Sequence, residues 1–391
     1  MMNWKNDRTR NFRILSNMEP NTKTSVAIVG GGTIAPLHAN YLLSSSTCSL
    51  SAIIDPFAPG KSLANRLHIP WFESVQSLVS SMQPPDAYII CVPSSLHIQV
   101  STDVIFNGRP KAILVEKPFC TESHAGQQLI DLARSNSCQI LVGHHRRFHP
   151  SITAAREAID EGKVGKITAI TGVWTAKKPD SYYSSAQWRS LRSAGGGPIW
   201  TNFIHDIDVL HYLTGSKVTR IWALPTTRHR ENAIMTSEDL VEEDAAIMLQ
   251  FANGVVGTFI VCDNVPSPFG WEAATGDNPL YPPAPVAIDA YRIFGTEGTL
   301  SEPDGILWGY NETDTKRRGL EVGWNVPIRR DALQAGNKIP FQQQTEHLGR
   351  VIRQGEKPRC SAEDGLAAVK VCEAVITALV AGDGIPVDIH F

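Results

Sequence analysis

The sequence carries no large excess of charge and no long apolar run. Its 36 Lys and Arg residues nearly balance 39 Asp and Glu residues, which gives a net charge of −3 and a pI near 6.5. We therefore expect neither a nucleic acid nor an anionic membrane as the main partner. No apolar stretch is long enough to cross a bilayer. Residues 1–24 lack the apolar segment of a secretory signal, so we expect a disordered tail on a soluble, cytoplasmic protein.

Cysteine occurs without a recognisable pattern. The seven cysteines are scattered, odd in number and never spaced as Cys-x-x-Cys. This arrangement predicts neither a metal site nor a disulfide framework. Most of them lie in apolar surroundings, which is typical of small buried residues in a reducing compartment.

The length of 391 residues exceeds what one hydrophobic core usually serves, so we expect two domains. Between 25 and 148, apolar runs alternate with helix-compatible segments. Runs such as 86–92 are apolar on both faces, as is typical of buried parallel strands. The pattern predicts a doubly wound α/β (Rossmann) domain that binds a dinucleotide. Its strands are expected at 25–29, 49–54, 86–92, 111–115 and 138–142, and its helices at 34–46, 60–67, 74–82, 95–108 and 121–135.

The pattern changes between 149 and 391. Several β-rich segments alternate with period two, which indicates an antiparallel sheet with one covered face. We expect an α+β domain with an open, mainly antiparallel sheet that serves substrate binding and oligomerisation. Its strands are predicted at 166–176, 217–225, 244–251, 255–263 and 290–294, and its helices at 150–162, 201–213, 342–353 and about 362–381.

A glycine-rich turn follows the first predicted strand. Gly30, Gly32 and Ala35 match the dinucleotide fingerprint, with Ala in its third position. Gly30 permits the tight turn, and Gly32 lets a pyrophosphate approach the backbone. Thr33 and Ile34 lie at the start of the next helix, where free N–H groups and the helix dipole favour phosphate. We expect Gly30, Gly32, Thr33 and Ile34 to bind the coenzyme.

An acidic residue, Asp55, ends the second predicted strand, 25 residues after Gly30. A carboxylate at this position accepts hydrogen bonds from the adenosine ribose and repels a 2′-phosphate. The sequence therefore favours NAD over NADP. NADP stays open, because Lys61 is close enough in sequence to assist a 2′-phosphate.

Three further motifs follow strands of the first domain, and a fourth opens a later helix. They are Cys91 to His97, Glu116-Lys117-Pro118, Gly143 to Phe148, and a glycine loop at 195–197 that leads to His205 and Asp208. The first three lie at the carboxyl edge of the predicted sheet, where open α/β folds bind ligands. Pro93, His97, Glu116 and Lys117 are therefore expected to line the coenzyme cleft.

In this order and spacing, the motifs resemble the glucose–fructose oxidoreductase / inositol dehydrogenase (Gfo/Idh/MocA) family. The resemblance extends from about residue 25 to the end of the chain and includes the segments 293–300 and 355–358. It implies an N-terminal Rossmann domain and a C-terminal α+β domain whose open sheet often mediates dimers. Members usually hold NAD(P) and oxidise or reduce a sugar-like carbon.

The resemblance also implies two catalytic residues. Lys117 corresponds to the family lysine, whose ammonium stabilises charge on the reacting oxygen. His205 corresponds to the family histidine, which exchanges the hydroxyl proton. Many members carry Asp four residues before this histidine, but Thr201 occupies that position here, beside Asn202. Asn202 could supply a neutral hydrogen bond instead, and Asp208 could orient His205 or cap local structure.

Other polar and aromatic residues are expected near the substrate. Arg147 fits the family arginine at the cleft, with a salt bridge to Glu116 or Glu243 as the alternative. Thr201, Asn202 and His205 should contact substrate. The remaining candidates for the pocket walls are Trp174, Lys177, Trp188, Arg189 and Trp271. Adjacent His144 and His145 point different ways from a strand and have no accompanying ligand set, so a structural role is preferred over a metal.

These residues predict an NAD(P)-dependent dehydrogenase that acts on a secondary alcohol or ketone of a sugar, polyol or related cyclic metabolite. Two alternatives remain. One is reduction of a C=N or C=C bond in a non-sugar metabolite, which the Thr201 departure and the long 264–288 loop suggest. The other is a non-catalytic, dinucleotide-binding regulator. An uncovered sheet face would need a partner, so a homodimer or homotetramer is expected.

Overall fold

The computed structural model describes residues 23–226, 240–310, 319 and 321–391. The tail expected over 1–24 therefore lies almost entirely outside the described residues, and Thr24 already begins the first strand.

The first sheet is parallel and has six strands: β1 (Thr24–Val29), β2 (Cys48–Ile54), β3 (Trp71–Phe72), β4 (Ala87–Ile90), β5 (Ala112–Val115) and β6 (Gln139–Val142). The strand order is β3-β2-β1-β4-β5-β6 with every pair parallel. This order confirms the predicted Rossmann fold, whose ligand crevice lies where the order reverses, beside β1 and β4. The helices are α1 (Ala35–Ser44), α2 (Ala58–Leu67), α3 (Val75–Ser81), α4 (His97–Asp103) and α5 (Ser123–Ser135).

The second sheet has nine strands: β7 (Ile167–Thr175), β8 (Val218–Pro225), β9 (Asp244–Phe251), β10 (Val256–Cys262), β11 (Tyr291–Gly295), β12 (Gly298–Glu302), β13 (Ile306–Gly309), β14 (Arg329–Ala332) and β15 (Val387–Asp388). Their order is β14-β13-β12-β11-β7-β10-β9-β8-β15. Only the β7–β10 pair is parallel among these described strands, so the expected mainly antiparallel sheet is confirmed. The helices are α6 (Pro150–Asp160), α7 (Asp180–Ser184), α8 (Ile204–Thr214), α9 (Trp271–Thr275), α10 (Pro340–Gln354) and α11 (Ala362–Ala381).

The differences from the predicted elements fall on short or irregular segments. β3 and β15 have two residues each, and β12 to β14 have four or five, which is too short for a reliable periodicity. The helix predicted over 95–108 is an α-helix only from His97 to Asp103 and continues as a π-helical turn, Val104–Gly108. The proline-rich segment 264–288 contains α9.

Helix α10 connects the two halves, because it belongs to the second half of the chain but packs against the first sheet. Leu348 and Val351 share a buried apolar cluster with Val26 and Ile28 of β1. The Glu346 carboxylate accepts hydrogen bonds from the backbone and hydroxyl of Ser46 at 2.7 and 2.9 Å. The second half of the chain therefore packs directly against the first sheet through this helix. Across the described ranges, no helix combines the length and apolar character that a membrane crossing requires.

The interior holds an unusual number of histidines. Desolvation lowers the pKa of seven of them below the ordinary 6.5, to about 3 for His145 and about 4 for His211 and His347; the others are His97, His144, His149 and His205. Burial acts in the opposite sense on three carboxyls, raising the pKa of Asp206 and Glu242 to about 7 and that of Glu302 well above its ordinary value.

Acidification from about pH 7 to pH 5 should destabilise the fold. Below about pH 6.5 these histidines bind protons in the unfolded chain but not in the folded one, so stability falls as pH falls. The three carboxyls oppose this loss, because the folded state takes up their protons first, but they are outnumbered. Each net proton is worth about 1.4 kcal/mol per pH unit. Urea unfolding at the two pH values measures the change.

Two variants locate the source of this pH dependence. His211→Asn should reduce the slope, because it removes a buried histidine that accepts a hydrogen bond from the Val218 backbone at 3.0 Å. His124→Asn, on the exposed face of α5, should leave the slope unchanged. A free energy of unfolding that stays level or rises on acidification would contradict the prediction.

Candidate active site

The glycine turn after β1 has the shape that a dinucleotide requires. Gly30 has φ +96, and a Cβ there would lie 2.7 Å from the Cys91 carbonyl oxygen, so only glycine fits. At Gly32 the nearest atom to a Cβ is 3.9 Å away, which leaves the backbone open to a ligand. Thr33 is exposed, and Ile34 caps α1 without a side-chain hydrogen bond. These residues fit the pyrophosphate of NAD.

Asp55 lies at the end of β2 and is tied to the glycine turn. One carboxylate oxygen accepts a hydrogen bond from the Gly31 backbone at 2.6 Å, and the other accepts one from Phe57 at 2.8 Å. A Cβ on Gly31 would lie 2.3 Å from Gly60, so the turn and α2 are in direct backbone contact. This role of Gly31 was not predicted from the sequence. Lys61 lies over the Trp71 ring, 4.7 Å from its centroid.

Glu116 and His97 hold the carboxyl ends of β4 and β5 in place. Glu116 is buried and accepts a hydrogen bond from His38 Nε2 at 2.7 Å. Although desolvation opposes ionisation, this bond keeps the pKa of Glu116 below its ordinary value. His97, expected to face the coenzyme, is buried instead, with Nδ1 2.7 Å from the Pro118 carbonyl and Nε2 3.1 Å from the Val92 carbonyl. It supports the two loops, whereas Pro93 is exposed.

Lys117 and the helix that carries His205 meet at Thr201. The Lys117 ammonium donates to the Thr201 carbonyl oxygen at 3.2 Å. Thr201 and Asn202 belong to a π-helical turn, Ile199–Phe203, that leads directly into α8. Such turns are frequent at functional sites. Desolvation lowers the pKa of Lys117 below its ordinary value, which makes the ammonium a stronger acid than an exposed lysine.

His205 is buried in the first turn of α8 beside two other imidazoles. Its ring centroid is 5.6 Å from that of His144 and 5.3 Å from that of His145. Desolvation, followed by the charges of Lys117 and Arg146, holds the pKa of His205 well below 6.5, so the ring is neutral at physiological pH. Nδ1 is buried and has no hydrogen-bond partner within the described chain, which leaves Nε2 as the atom for a substrate proton.

The two aspartates after His205 bind arginines. Asp206 accepts hydrogen bonds from Arg146 at 2.5 Å and from Tyr291, and Arg146 also donates to Glu272 at 2.8 Å. Asp208 receives two hydrogen bonds from Arg147, at 2.9 and 2.8 Å. Asp208 therefore does not orient His205, although the sequence left that role open.

Arg147 does not reach the cleft, contrary to the sequence prediction. Its guanidinium is buried and also donates to Asp364 at 3.2 Å and to the Arg359 carbonyl at 2.7 Å. The alternative partners predicted for Arg147, Glu116 and Glu243, were also wrong.

His144 and His145 do not form a metal site. Among the described residues, no group of three or more His, Cys, Asp or Glu side chains is arranged to hold a metal ion. His145 stacks on Phe341, with ring centroids 4.3 Å apart.

The residues predicted to form the pocket walls fall into two groups: some are buried, and others lie at a partly exposed rim. Trp174 is buried and donates from Nε1 to Glu272 at 2.7 Å, and Trp271 is buried beside Arg146. Trp188 is 44% exposed. The Arg189 guanidinium lies 4.2 Å from the Tyr182 ring centroid and 5.6 Å from that of Trp188, which forms a partly exposed aromatic rim.

Lys178, rather than the exposed Lys177, is buried next to Thr201 and Asn202. The signal was available in the sequence. Side chains alternate along an extended segment, so residues two and four after Trp174 share its face, whereas Lys177 points away. His38, Arg146 and Glu272 were also missed, because no local motif connects them with the partners that they meet in the fold.

Two models of one protein family match the two halves of this chain. Residues 24–144 match the family model described as oxidoreductase family, NAD-binding Rossmann fold, and residues 152–301 match the GFO/IDH/MocA C-terminal domain. Inositol 2-dehydrogenase of Rhizobium meliloti (strain 1021) is 22% identical over 358 residues, which cover 89% of this chain and 94% of that protein. The rhizopine catabolism protein MocA of Rhizobium meliloti is 24% identical over 221 residues, which cover 56% of this chain and 67% of that protein.

Solved structures share the fold. Scyllo-inositol dehydrogenase from Lactobacillus casei, crystallised with NAD(H) and scyllo-inositol, superposes with a TM-score of 0.69 at 21% identity, covering 94% of this chain and 99% of that one. The two matching family models together span more than half of the sequence. The chain therefore belongs to the GFO/IDH/MocA family and is an NAD(P)-dependent oxidoreductase.

Proposed function

We propose that this chain transfers hydride between NAD and a secondary hydroxyl of a polyol or cyclic sugar-like compound, with Lys117 and His205 as the catalytic residues. The observation that carries the proposal is the meeting of the Lys117 ammonium with the turn that leads to a buried, neutral His205. The inositol dehydrogenases among its relatives support a polyol substrate.

Lys117 and His205 have different roles in the proposed reaction. Nicotinamide held in this cleft would supply the hydride acceptor or donor. Lys117 donates a hydrogen bond to the reacting oxygen and stabilises the negative charge that develops on it. His205 accepts the hydroxyl proton at Nε2 in the oxidative direction and returns it in the reductive one. A neutral imidazole is the form that can accept a proton, and burial keeps His205 in that form.

The coenzyme contacts divide between the glycine turn and Asp55. We propose that Gly30, Gly32, Thr33 and Ile34 hold the pyrophosphate and that Asp55 accepts the adenosine ribose hydroxyls. Each Asp55 oxygen keeps a second lone pair after its backbone hydrogen bond, so ribose can share the carboxylate. Pro93, Glu116 and Lys117 continue the same edge of the sheet toward the nicotinamide.

The substrate contacts proposed here are Thr201, Asn202, His205 and Trp174, with Trp188 and Arg189 at the rim. Arg147 is withdrawn from this set because its hydrogen bonds are directed into the interior. Aromatic faces and amide groups suit a polyhydroxylated ring.

We also propose that the outer face of the second sheet mediates a homodimer or homotetramer. This face exposes Leu224, Met248 and Ile260 from three adjacent strands, together with Phe294 and Trp308 further along the sheet. Exposed apolar side chains that share one face of a sheet mark an interface in many proteins.

A panel of polyols and cyclic sugars should yield NADH from NAD⁺ with the wild-type protein. Lys117→Ala should lower kcat by about 100-fold or more, because it removes the cation that stabilises the oxyanion. The Kd for NADH, measured by fluorescence titration, should change little. Lys111→Ala, on the surface and paired with Asp86, is the matched control and should keep full activity. Undiminished turnover by Lys117→Ala, or activity confined to imines or enones, would refute the proposal.

Asp55→Ala should weaken NADH binding by about 10- to 100-fold, because it removes hydrogen bonds to a charged acceptor. NADPH binding should weaken less, since the same change removes a charge that repels the 2′-phosphate. Titration of both coenzymes measures the ratio. An equal loss for NADH and NADPH would show that Asp55 only anchors the glycine turn and does not select the coenzyme.

Ile260→Glu should reduce the oligomer to a smaller species in size-exclusion chromatography with light scattering, because it places a charge in the proposed interface. Val380→Glu changes an even more exposed apolar residue, on α11, and should leave the mass unaltered. The interface would be misplaced if the Ile260 variant kept the wild-type mass.

A further inference from the structure

Lys178 is a buried lysine that the reaction above does not use. It follows β7, four residues after Trp174, and its backbone N–H donates to the Asp263 carbonyl oxygen at 2.9 Å. Only 5% of the residue is exposed. Its ammonium lies between two aromatic rings, 5.1 Å from the Trp174 centroid and 5.0 Å from that of Tyr182. A buried ammonium is costly unless it is paired, so its contacts are informative.

The contacts of this ammonium are directed at the turn that precedes His205. Nζ donates to the Asn202 side-chain oxygen at 2.8 Å and to the Thr201 hydroxyl at 3.3 Å, and it lies 3.6 Å from the Asp263 carboxylate. The Thr201 hydroxyl in turn donates to the Gly197 carbonyl at 2.7 Å. An ammonium has three donors, and the acceptors around this one include the Asn202 amide oxygen, the Thr201 hydroxyl and the Asp263 carboxylate. Lys178 is therefore placed to hold the turn rather than to bind substrate.

Thr201 is in contact with two lysines through two different groups. Lys178 binds its hydroxyl, and Lys117 binds its backbone carbonyl at 3.2 Å. The hydroxyl and the neighbouring amide of Asn202 fix the side-chain face of the turn, so the carbonyl is left facing Lys117. Loss of these side-chain contacts would free the π-helical turn to relax toward a regular helix, which would change the direction of the Thr201 carbonyl.

We propose that Lys178 is a positioning residue for the reaction: it holds Thr201 and Asn202 so that the Thr201 carbonyl orients the Lys117 ammonium toward the reacting oxygen. The expected effect on the rate rests on the proposed function. The expected effect on the position of the Thr201 carbonyl rests on the contacts alone. Displacement of a catalytic group by about 1 Å is sufficient to lower a rate by about 100-fold. Lys178 is connected to Lys117 through a single residue.

The kinetic test compares Lys178→Met with Lys178→Arg and with the exposed control Lys177→Met. Lys178→Met should lower kcat by about 10- to 100-fold, with little change in the Kd for NADH. Lys178→Arg keeps the charge and the donors and should restore part of the loss, whereas Lys177→Met should match the wild type. Thr201→Val removes the hydroxyl that Lys178 binds. Lys178→Met should therefore lower kcat by a smaller factor in the Thr201→Val variant than in the wild type.

Crystal structures of the wild-type protein and of Lys178→Met provide a test that does not depend on turnover. The proposal expects the Lys117–Thr201 contact in the wild type and its loss in the variant. Retention of that contact, an unchanged kcat for Lys178→Met, or equal effects of the Met and Arg variants would overturn it. A wild-type protein that oxidises no polyol contradicts the proposed function instead, and the crystal structures still decide the role of Lys178.

Discussion

Two consecutive arginines connect the halves of this protein, and the geometry of its active site depends on them. Arg146 and Arg147 follow β6 of the first sheet and bind Asp206 and Asp208 of α8, in the second half of the chain. All four side chains are nearly excluded from water. A buried charge that loses its partner costs several kcal/mol, so neither arginine can leave its aspartate without disrupting the fold. This constraint fixes α8, and with it His205, against the edge of the sheet that carries Lys117.

The same junction sets the electrostatics of the site. Arg146 is charged and close enough to lower the pKa of His205, and Lys117 acts in the same direction after desolvation. Glu116, the nearest carboxylate in sequence to Lys117, is directed toward His38 by a hydrogen bond of 2.7 Å. The site therefore combines an ammonium with an imidazole that stays neutral. The neutral imidazole is in the form that can accept a proton, although its low pKa makes it a weak base.

Local motifs predicted the parts of the site that depend on local geometry. Gly30 and Asp55 could be placed because a strand, a turn and a helix in immediate succession admit one arrangement of the backbone. Lys117 and His205 could be identified because their motifs are continuous. The contacts of Arg147, Asp208 and His97 could not be predicted, because each depends on which side of a turn or helix faces a partner distant in sequence. Lys177 and Lys178 are neighbours in sequence, but the first is exposed to solvent and the second is buried, because successive side chains of an extended segment point in opposite directions.

The neutral residue at position 201 changes how Lys117 is held. A carboxylate at that position would neutralise the ammonium and raise its pKa, because an opposite charge favours the ionised form. The Thr201 carbonyl orients the same ammonium through a hydrogen bond without cancelling its charge. Desolvation lowers the pKa of Lys117, so under the proposed mechanism the ammonium would donate more strongly to a developing oxyanion than a salt-bridged lysine would. The departure from the family pattern at Thr201 is thus compatible with the same reaction, provided that other contacts keep the carbonyl in place.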